Sequence, residues 1–224
     1  LFFDQSIKYI EHLPQPFYLK MITVTNHYPY DLDKKNQSID KTDTGDKTVD
    51  GYVQTAHYLD EAIGELMSYL KKSGLEKNTL IMLYGDHYGI SGNHHKASAQ
   101  LLNKDSFNNF DNLQFQRVPL MFHMPGLKGG INHTYGGEID VRQTLFNLLG
   151  INDQNMIQFG HSLLAKNAPQ IVAQRNGDFI TPKYSKVEGS YYYTKSGKRV
   201  THPSKKVKAQ LASISNTVTT ELSP

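Results

Sequence analysis

The sequence predicts an α/β domain, and three observations carry that prediction. Two short apolar runs of strand-like composition, residues 17–25 and 79–87, flank a long stretch with helical spacing. Each run leads into a histidine, and the second ends on an adjacent Asp-His pair. The chain has 224 residues, of which 38% are hydrophobic, which is enough to bury a sizeable core. We therefore expect a central sheet flanked by helices.

The first elements in chain order are a helix, a strand and a loop. Residues 1–16 form an amphipathic lead-in that ends at Pro14 and Pro16. Residues 17–25 are rich in β-branched and aromatic side chains, which is typical of a strand, and His27 follows directly. Residues 31–48 are almost free of apolar side chains, so we expect a surface loop.

The central elements predict a βαβ unit. Apolar residues from Val49 to Leu70 recur at intervals of three and four, and Gly74 is the expected C-cap of this helix. A second strand, residues 79–87, comes next. The two strands of a βαβ unit are parallel, so His27 should emerge at the same sheet edge as the Asp86-His87 pair.

The remaining elements are shorter. Residues 88–116 are expected to be irregular apart from a helix near residues 97–102, and residues 118–124 form another strand. Asp140 is the expected N-cap of a helix over residues 141–149, which Gly150 closes. Beyond residue 152 we expect short antiparallel strands, including a hairpin over residues 189–198, and a final helix over residues 204–224.

Composition excludes several classes of protein. The chain has no cysteine, so His and carboxylates remain as metal ligands. The 24 Lys and Arg against 21 Asp and Glu give a formal charge of +3, too small to indicate a nucleic-acid partner. There is no Walker phosphate loop or dinucleotide fingerprint, and Gly89-Ile90-Ser91-Gly92 only approaches a nucleophile elbow.

No run approaches the length of a membrane-spanning helix, and no leader pattern is present. Any membrane anchor is therefore expected outside this sequence. The chain opens on Leu1 rather than on methionine, so we expect it to be a piece of a longer protein.

The candidate site is the end of the second strand. Asp86 and His87 offer an oxygen and a nitrogen donor that suit Mn²⁺, Mg²⁺ or Zn²⁺, and Gly85 should let the backbone turn sharply to expose them. A capped strand end with a structural histidine explains the same dipeptide equally well. His27 could donate a hydrogen bond or a proton to a phosphoryl oxygen or a leaving group. His94 and His95 lie in a loop, where surface exposure is the default. His133 lies in a glycine-rich loop that could fold over the site, but we expect a structural role for it.

Four motifs resemble the lipoteichoic acid synthase family of Gram-positive bacteria, which lies in the sulfatase and alkaline-phosphatase superfamily. These motifs are TNHYPY at residues 25–30, YGDH at 84–87, NHTYGGEID at 132–140 and RNGDFITPKY at 175–184. The resemblance runs from about residue 17 to residue 190. It implies the C-terminal half of a sulfatase-like catalytic domain in residues 1–151, and a C-terminal β-rich subdomain in residues 152–224 that ends in a helix.

The resemblance also implies an activity. Family members transfer glycerol phosphate from phosphatidylglycerol to lipoteichoic acid or its glycolipid anchor. They work at the extracellular face of the membrane, or after secretion by cleavage. The implied metal is manganese, with magnesium as an alternative, and Asp86 and His87 match two of its ligands. His27 matches a residue that contacts the glycerol phosphate group.

One departure from the family has a large consequence. The half of the domain that carries the threonine nucleophile and the metal-binding glutamate has no counterpart in this sequence. We therefore expect no catalytic nucleophile within the chain, and we expect the N-terminal half of the domain as its partner.

Three alternative functions remain open. Within the superfamily, a primase that adds a single glycerol phosphate, or a sulfatase-like or phosphoesterase-like hydrolase, fits nearly as well. From a different class, a non-catalytic module could hold anionic wall polymer on a basic, tyrosine-rich surface. The residues that favour such a surface are cations near the C-terminus: Lys195, Lys198, Arg199, Lys205, Lys206 and Lys208.

Overall fold

The computed structural model describes the backbone of residues 2–222 and the side chains as far as Thr219. The chain divides into two compact units. The first unit runs as far as Asn108 and includes Gln114–Lys128. The second unit consists of Asn109–Leu113 and the chain from Gly129 onward.

The first unit is built on a 27-residue helix. Helix α1 (Phe2–Ile10) packs on helix α2 (Lys47–Ser73) through a cluster of four buried side chains: Phe3, Ile10, Leu66 and Leu70. The C-terminal end of α2 is capped as the sequence predicts, and Asp46 caps its N-terminal end. Gly74 adopts φ = 79° and its N–H reaches the Lys71 carbonyl, a conformation that a residue with a side chain adopts at a cost.

A small sheet and a short helix complete this unit. Strand β1 (Ile81–Tyr84) pairs with β2 (Leu120–His123) in an antiparallel register that places Ile81 opposite His123 and Tyr84 opposite Leu120. Helix α3 (His95–Leu101) contributes Ala97 to a buried cluster with Val49 and Ile90. Strand β1 therefore leads directly into a segment that folds back onto α2.

The strand predicted over residues 17–25 does not form a ladder. Its side chains do alternate: Phe17 and Met21 pack against the α1–α2 cluster, while Tyr18 and Ile22 are 82% and 62% exposed. Yet this segment pairs with no strand among residues 2–222, and the only ladder of β1 is with β2. The predicted βαβ unit with parallel strands is therefore wrong for this chain. A period of two specifies which side chains point inward, but a strand also needs a neighbour for its N–H and C=O groups.

The second unit is a five-stranded antiparallel meander covered on both faces. Its strands follow chain order and are short: β3 (Val172–Ala173), β4 (Phe179–Ile180), β5 (Tyr184–Val187), β6 (Ser190–Tyr193) and β7 (Lys198–Arg199). Successive residues point to opposite faces, so Phe179 joins one core cluster and Ile180 the other. The predicted C-terminal antiparallel sheet is confirmed.

Helices supply both covering layers of this sheet. Helix α4 (Asn109–Gln114), which the sequence reading missed, contributes Phe110 and Leu113 to the Ile180 face. Helix α6 (Lys205–Leu222) contributes Leu211 and Val218 to the Phe179 face. No helix in the described residues is long and apolar enough to cross a membrane.

Helix α5 (Val141–Leu149) ends at Gly150 as predicted, but its start differs from the prediction. The Asp140 side chain does not cap α5. It is 2% exposed and accepts hydrogen bonds from the backbone N–H groups of Gly137 and His161, each at 2.9 Å. A buried carboxylate needs several donors, and the loop around His161 brings a donor that lies far away in sequence. Asp140 therefore ties two loops together instead of closing a helix.

Candidate functional site

Asp86 and His87 follow β1 directly, after a glycine that the packing requires. A Cβ on Gly85 would lie 2.9 Å from the Cβ of Val118, and the Gly85 N–H donates to the Pro119 carbonyl at 3.1 Å. The predicted reason for this glycine, a sharp turn, is not the observed one. Glycine is needed because the side chains of Val118 and Pro119, which lead into β2, pass very close to it.

We expect Gly85→Ala to destabilise the protein by about 1–3 kcal/mol, because the added methyl group overlaps the Val118 side chain. Gly64→Ala is the matched control. A Cβ at Gly64, inside α2, meets nothing within 4 Å, so this change should stabilise the helix by up to about 1 kcal/mol. Thermal unfolding of both variants measures the difference, and equal stabilities would contradict the close approach at Gly85.

The His87 ring is held in one tautomer. Its Nδ1 lies 2.7 Å from the Tyr88 carbonyl oxygen, and because a carbonyl can only accept, Nδ1 carries the proton. In the neutral ring the lone pair is then on Nε2. Asp86 Oδ1 lies 3.8 Å from this Nε2, and the two side chains are 72% and 53% exposed respectively. The pair therefore presents one oxygen and one nitrogen donor toward solvent.

His27 is oriented in the same way and lies beside His87. The His27 Nδ1 donates to the Tyr28 carbonyl at 2.9 Å, which leaves Nε2 free. The ring centroids of His27 and His87 are 5.4 Å apart, and the rings are nearly perpendicular. The structure therefore brings together the three side chains expected at one edge, although the parallel sheet that was expected to do so is absent from the described residues.

Helix α2 replaces that sheet as the element that positions His27. The fully buried Thr55 of α2 donates to the Asn26 side-chain oxygen at 2.9 Å. Tyr30, 4% exposed, donates its hydroxyl to the Gly89 carbonyl. Burial, together with the nearby Tyr52, raises the pKa of Tyr30, so the hydroxyl stays protonated and able to donate. These contacts join the turn that carries His27 to the segment that follows His87.

Asp46 and His94 form a hydrogen-bonded pair that holds the other end of the segment after His87, and the sequence did not predict this pair. His94 Nδ1 donates to Asp46 Oδ2 at 2.7 Å, while Asp46 Oδ1 accepts from the N–H groups of Thr48 and Val49 at the start of α2. The hydrogen bond from His94 is the main cause of the lowered pKa of Asp46, and the two backbone donors add to it. His94 was expected to be exposed, but it is part-buried and bonded to Asp46. Asp46 lies 48 residues away in sequence, so no local pattern predicts this contact. His133, for which a structural role was expected, is exposed.

The donor chemistry fits a divalent cation, but the donor number is incomplete. A carboxylate oxygen and an imidazole Nε2 on adjacent residues are suitable ligands for Mn²⁺ or Zn²⁺. Within residues 2–222 no group of three or more His, Asp or Glu side chains is placed to hold an ion. Metal binding by Asp86 and His87 therefore stays a prediction.

Comparison with known proteins defines the class. A sequence model of the sulfatase family matches residues 1–151. The solved structure of the lipoteichoic acid synthase LtaP from Listeria monocytogenes superposes with a TM-score of 0.75 at 27% identity, covering 98% of this chain and 55% of that one. The chain belongs to the sulfatase family, and the predicted sulfatase-like α/β class is confirmed.

Two curated relatives show which proteins this chain is most useful to compare with inside the sulfatase family. Lipoteichoic acid synthase 1 of Bacillus subtilis strain 168 is 53% identical over 199 residues, which are 89% of this chain and 31% of the relative. Lipoteichoic acid synthase of Staphylococcus aureus strain USA300 is 47% identical over 202 residues, 90% of this chain and again 31% of the relative. The chain is therefore similar to lipoteichoic acid synthases over nearly its whole length, and it spans about a third of the length of these relatives.

Proposed function

We propose that this chain carries one part of the active site of a metal-dependent transferase. This enzyme moves glycerol phosphate from phosphatidylglycerol to lipoteichoic acid or to its glycolipid anchor. The observation that carries the proposal is the convergence of Asp86, His87 and His27, with both imidazole Nε2 atoms left free by hydrogen bonds at Nδ1. The names of the relatives support the reaction class.

Asp86 and His87 are the residues of this chain that would hold the metal, which we propose to be manganese, with magnesium as an alternative. Such an ion, when bound, neutralises phosphoryl oxygens and lowers the pKa of a coordinated hydroxyl. The carbonyl of Tyr88 contributes by holding the His87 ring, because a ligand whose other nitrogen is fixed loses less freedom on binding. The exposure of both side chains leaves room for further ligands.

His27 is proposed to contact the glycerol phosphate group. Its free Nε2 can accept a proton, and the protonated ring can donate to a phosphoryl oxygen or to the departing oxygen. Anchoring by Thr55 through Asn26 fixes the turn that carries the ring. The role proposed for His27 is therefore substrate binding beside the metal pair.

The remaining ligands and the threonine nucleophile are proposed to come from the N-terminal half of the same catalytic domain. The segment over residues 17–25 supports this partner, since it already has the alternation of a strand but no ladder within residues 2–222. Its outward side chains are large and apolar, with Ile22 and Val24 at 62% and 72% exposure. A neighbouring strand would pair the backbone, and elements packed on the outward face of that sheet would bury these side chains.

We propose that the complete enzyme acts at the extracellular face of the cell membrane of a Gram-positive bacterium, or after release from it. The test uses the full-length natural protein, phosphatidylglycerol as donor and a glycolipid as acceptor. We expect diacylglycerol release and polymer growth with Mn²⁺, and loss of both with a chelator. A single added unit would indicate a primase, free glycerol phosphate without acceptor product a hydrolase, and metal-independent polymer binding without turnover would contradict the enzyme assignment.

A further inference from the structure

The positive charge of the chain is concentrated near its C-terminus. Residues 189–220 contain six Lys and Arg and no Asp or Glu. Removing these six from the total of 24 leaves 18 cations against 21 acids elsewhere, a net charge of −3. The overall charge of +3 is therefore the sum of a net charge of −3 over most of the chain and six positive charges in residues 189–220. We call this set of cations the basic face: Lys195, Lys198, Arg199, Lys205, Lys206 and Lys208.

All six residues of the basic face are exposed. None of them forms a salt bridge with a carboxylate in the part of the chain whose side chains the structure describes. Clustered like charges repel one another, and this repulsion has no local compensation. An anionic partner bound to the basic face would offset the repulsion between its positive charges.

Packing places the cations at the start of α6 on the outside of one core cluster. Val200, directly after β7, and Val207, in the first turns of α6, both pack against the cluster built on Phe179 and Leu211. Because Val207 points inward, the lysines on either side of it are left to solvent. The lysines of α6 therefore lie outside this core cluster, while Lys198 and Arg199 of β7 point to opposite faces of the sheet.

Lys183 adds a further cation beside α6. Its Nζ lies 3.4 Å from the Gln210 side-chain oxygen and 5.2 Å from the centre of the Tyr184 ring. Gln210 follows Lys206 by one helical turn, so the two share a side of the helix.

Three lysines in the first turn of α6 also oppose the helix dipole, so helix stability does not explain their placement.

We propose that the basic face binds an anionic phosphodiester polymer, which in the proposed function is the growing lipoteichoic acid product. The binding is electrostatic and occurs on the second unit, in addition to the Asp86-His87 site. A bilayer surface fits less well, because the apolar face of α6 is already buried in the core, with Leu211 and Val218 at 4% and 1% exposure. A hydrated polyanion needs only exposed cations and polar groups.

The test compares two quadruple variants of the full-length natural protein. One removes four charges from the basic face: Lys198→Gln, Arg199→Gln, Lys205→Gln and Lys206→Gln. The control removes four exposed lysines of the first unit and changes the net charge equally: Lys34→Gln, Lys35→Gln, Lys71→Gln and Lys72→Gln. Binding of labelled, deacylated 1,3-poly(glycerol phosphate) is measured with a chelator present, so that no turnover occurs.

We expect the basic-face variant to bind the polymer at least about tenfold more weakly than the control, with a shallower dependence on salt, because fewer counterions are released. Transfer of the first glycerol phosphate to a glycolipid should be unchanged, while the polymers made should be shorter.

Equal polymer affinity of the two variants would overturn the proposal. Binding to phosphatidylglycerol vesicles in place of the polymer would also overturn it. Wild-type protein that binds polymer but transfers nothing would instead contradict the proposed function and leave the basic face intact.

Discussion

Replacing Asp86 or His87 by alanine should reduce glycerol-phosphate transfer by the full-length natural protein by a factor on the order of a thousand. Each change removes one of the two proposed metal donors that converge after β1, where His87 Nε2 lies 3.8 Å from Asp86 Oδ1. The loss of a preorganised charge at the reacting phosphate typically costs about 10²–10³ in rate. Manganese affinity, measured by calorimetry on the same proteins, should fall in parallel.

Matched controls separate this effect from a change in folding. Asp60→Ala removes the same type of side chain from the exposed side of α2, and His57→Ala removes an imidazole whose contact with Glu61, at 3.6 Å, lies on the surface. Both controls should retain activity and metal affinity. Because Asp86 and His87 are exposed, the metal-free variants should melt at the temperature of the metal-free wild type. Normal transfer by either site variant would contradict the proposed site.

His27→Ala should reduce the rate of transfer by about 10²–10⁴, the usual contribution of a positioned acid or base, and should leave manganese affinity unchanged. This difference follows from the geometry, because the His27 ring lies beside His87 at 5.4 Å but is proposed to contact substrate. The two measurements are the steady-state rate and the calorimetric metal affinity. A fall in metal affinity equal to that of His87→Ala would make His27 a ligand instead.

A conservative variant refines this result. His27→Gln keeps a hydrogen-bond donor but cannot carry a proton between groups, so partial recovery of the rate would assign His27 to substrate binding. Thr55→Val serves as the structural comparison, because it removes the buried hydroxyl that holds Asn26 and leaves the imidazole in place. We expect Thr55→Val to raise KM more than it lowers kcat. Full activity of His27→Ala would remove this residue from the site.

Local sequence was sufficient where the helical spacing was long or the cap was a glycine, although the N-cap expected at Asp140 and the strand expected over residues 17–25 were wrong. The helix over Lys47–Ser73, its C-cap at Gly74 and the terminal helix from Lys205 were all predicted from spacing and capping residues. The meeting of His27 with His87 was also predicted, although the element that positions His27 is α2 rather than a parallel sheet. Such features depend on residues only a few positions apart, or on one side chain at the end of an apolar run.

Most of the failed predictions concern contacts whose partner lies far away in the chain. The bond between His94 and Asp46, the burial of Asp140 under the His161 loop and the close approach of Val118 to Gly85 each join segments separated by many residues. Helix α4 was missed because it is short, and its apolar side chains have meaning only against the sheet that they cover.

The sequence by itself determined the class of this protein, the identity of the metal-capable pair and the location of its basic segment. Only the tertiary structure decided the tautomers of His27 and His87 and the hydrogen bonds that join α2 to the segment after β1. It also decided that residues 17–25 form no ladder within residues 2–222. The physical reason is that a side chain or a strand acquires its role from the groups that accept its hydrogen bonds. The folded backbone places the Tyr28 and Tyr88 carbonyls beside the two imidazoles, and the groups that α2 contacts lie far away in sequence.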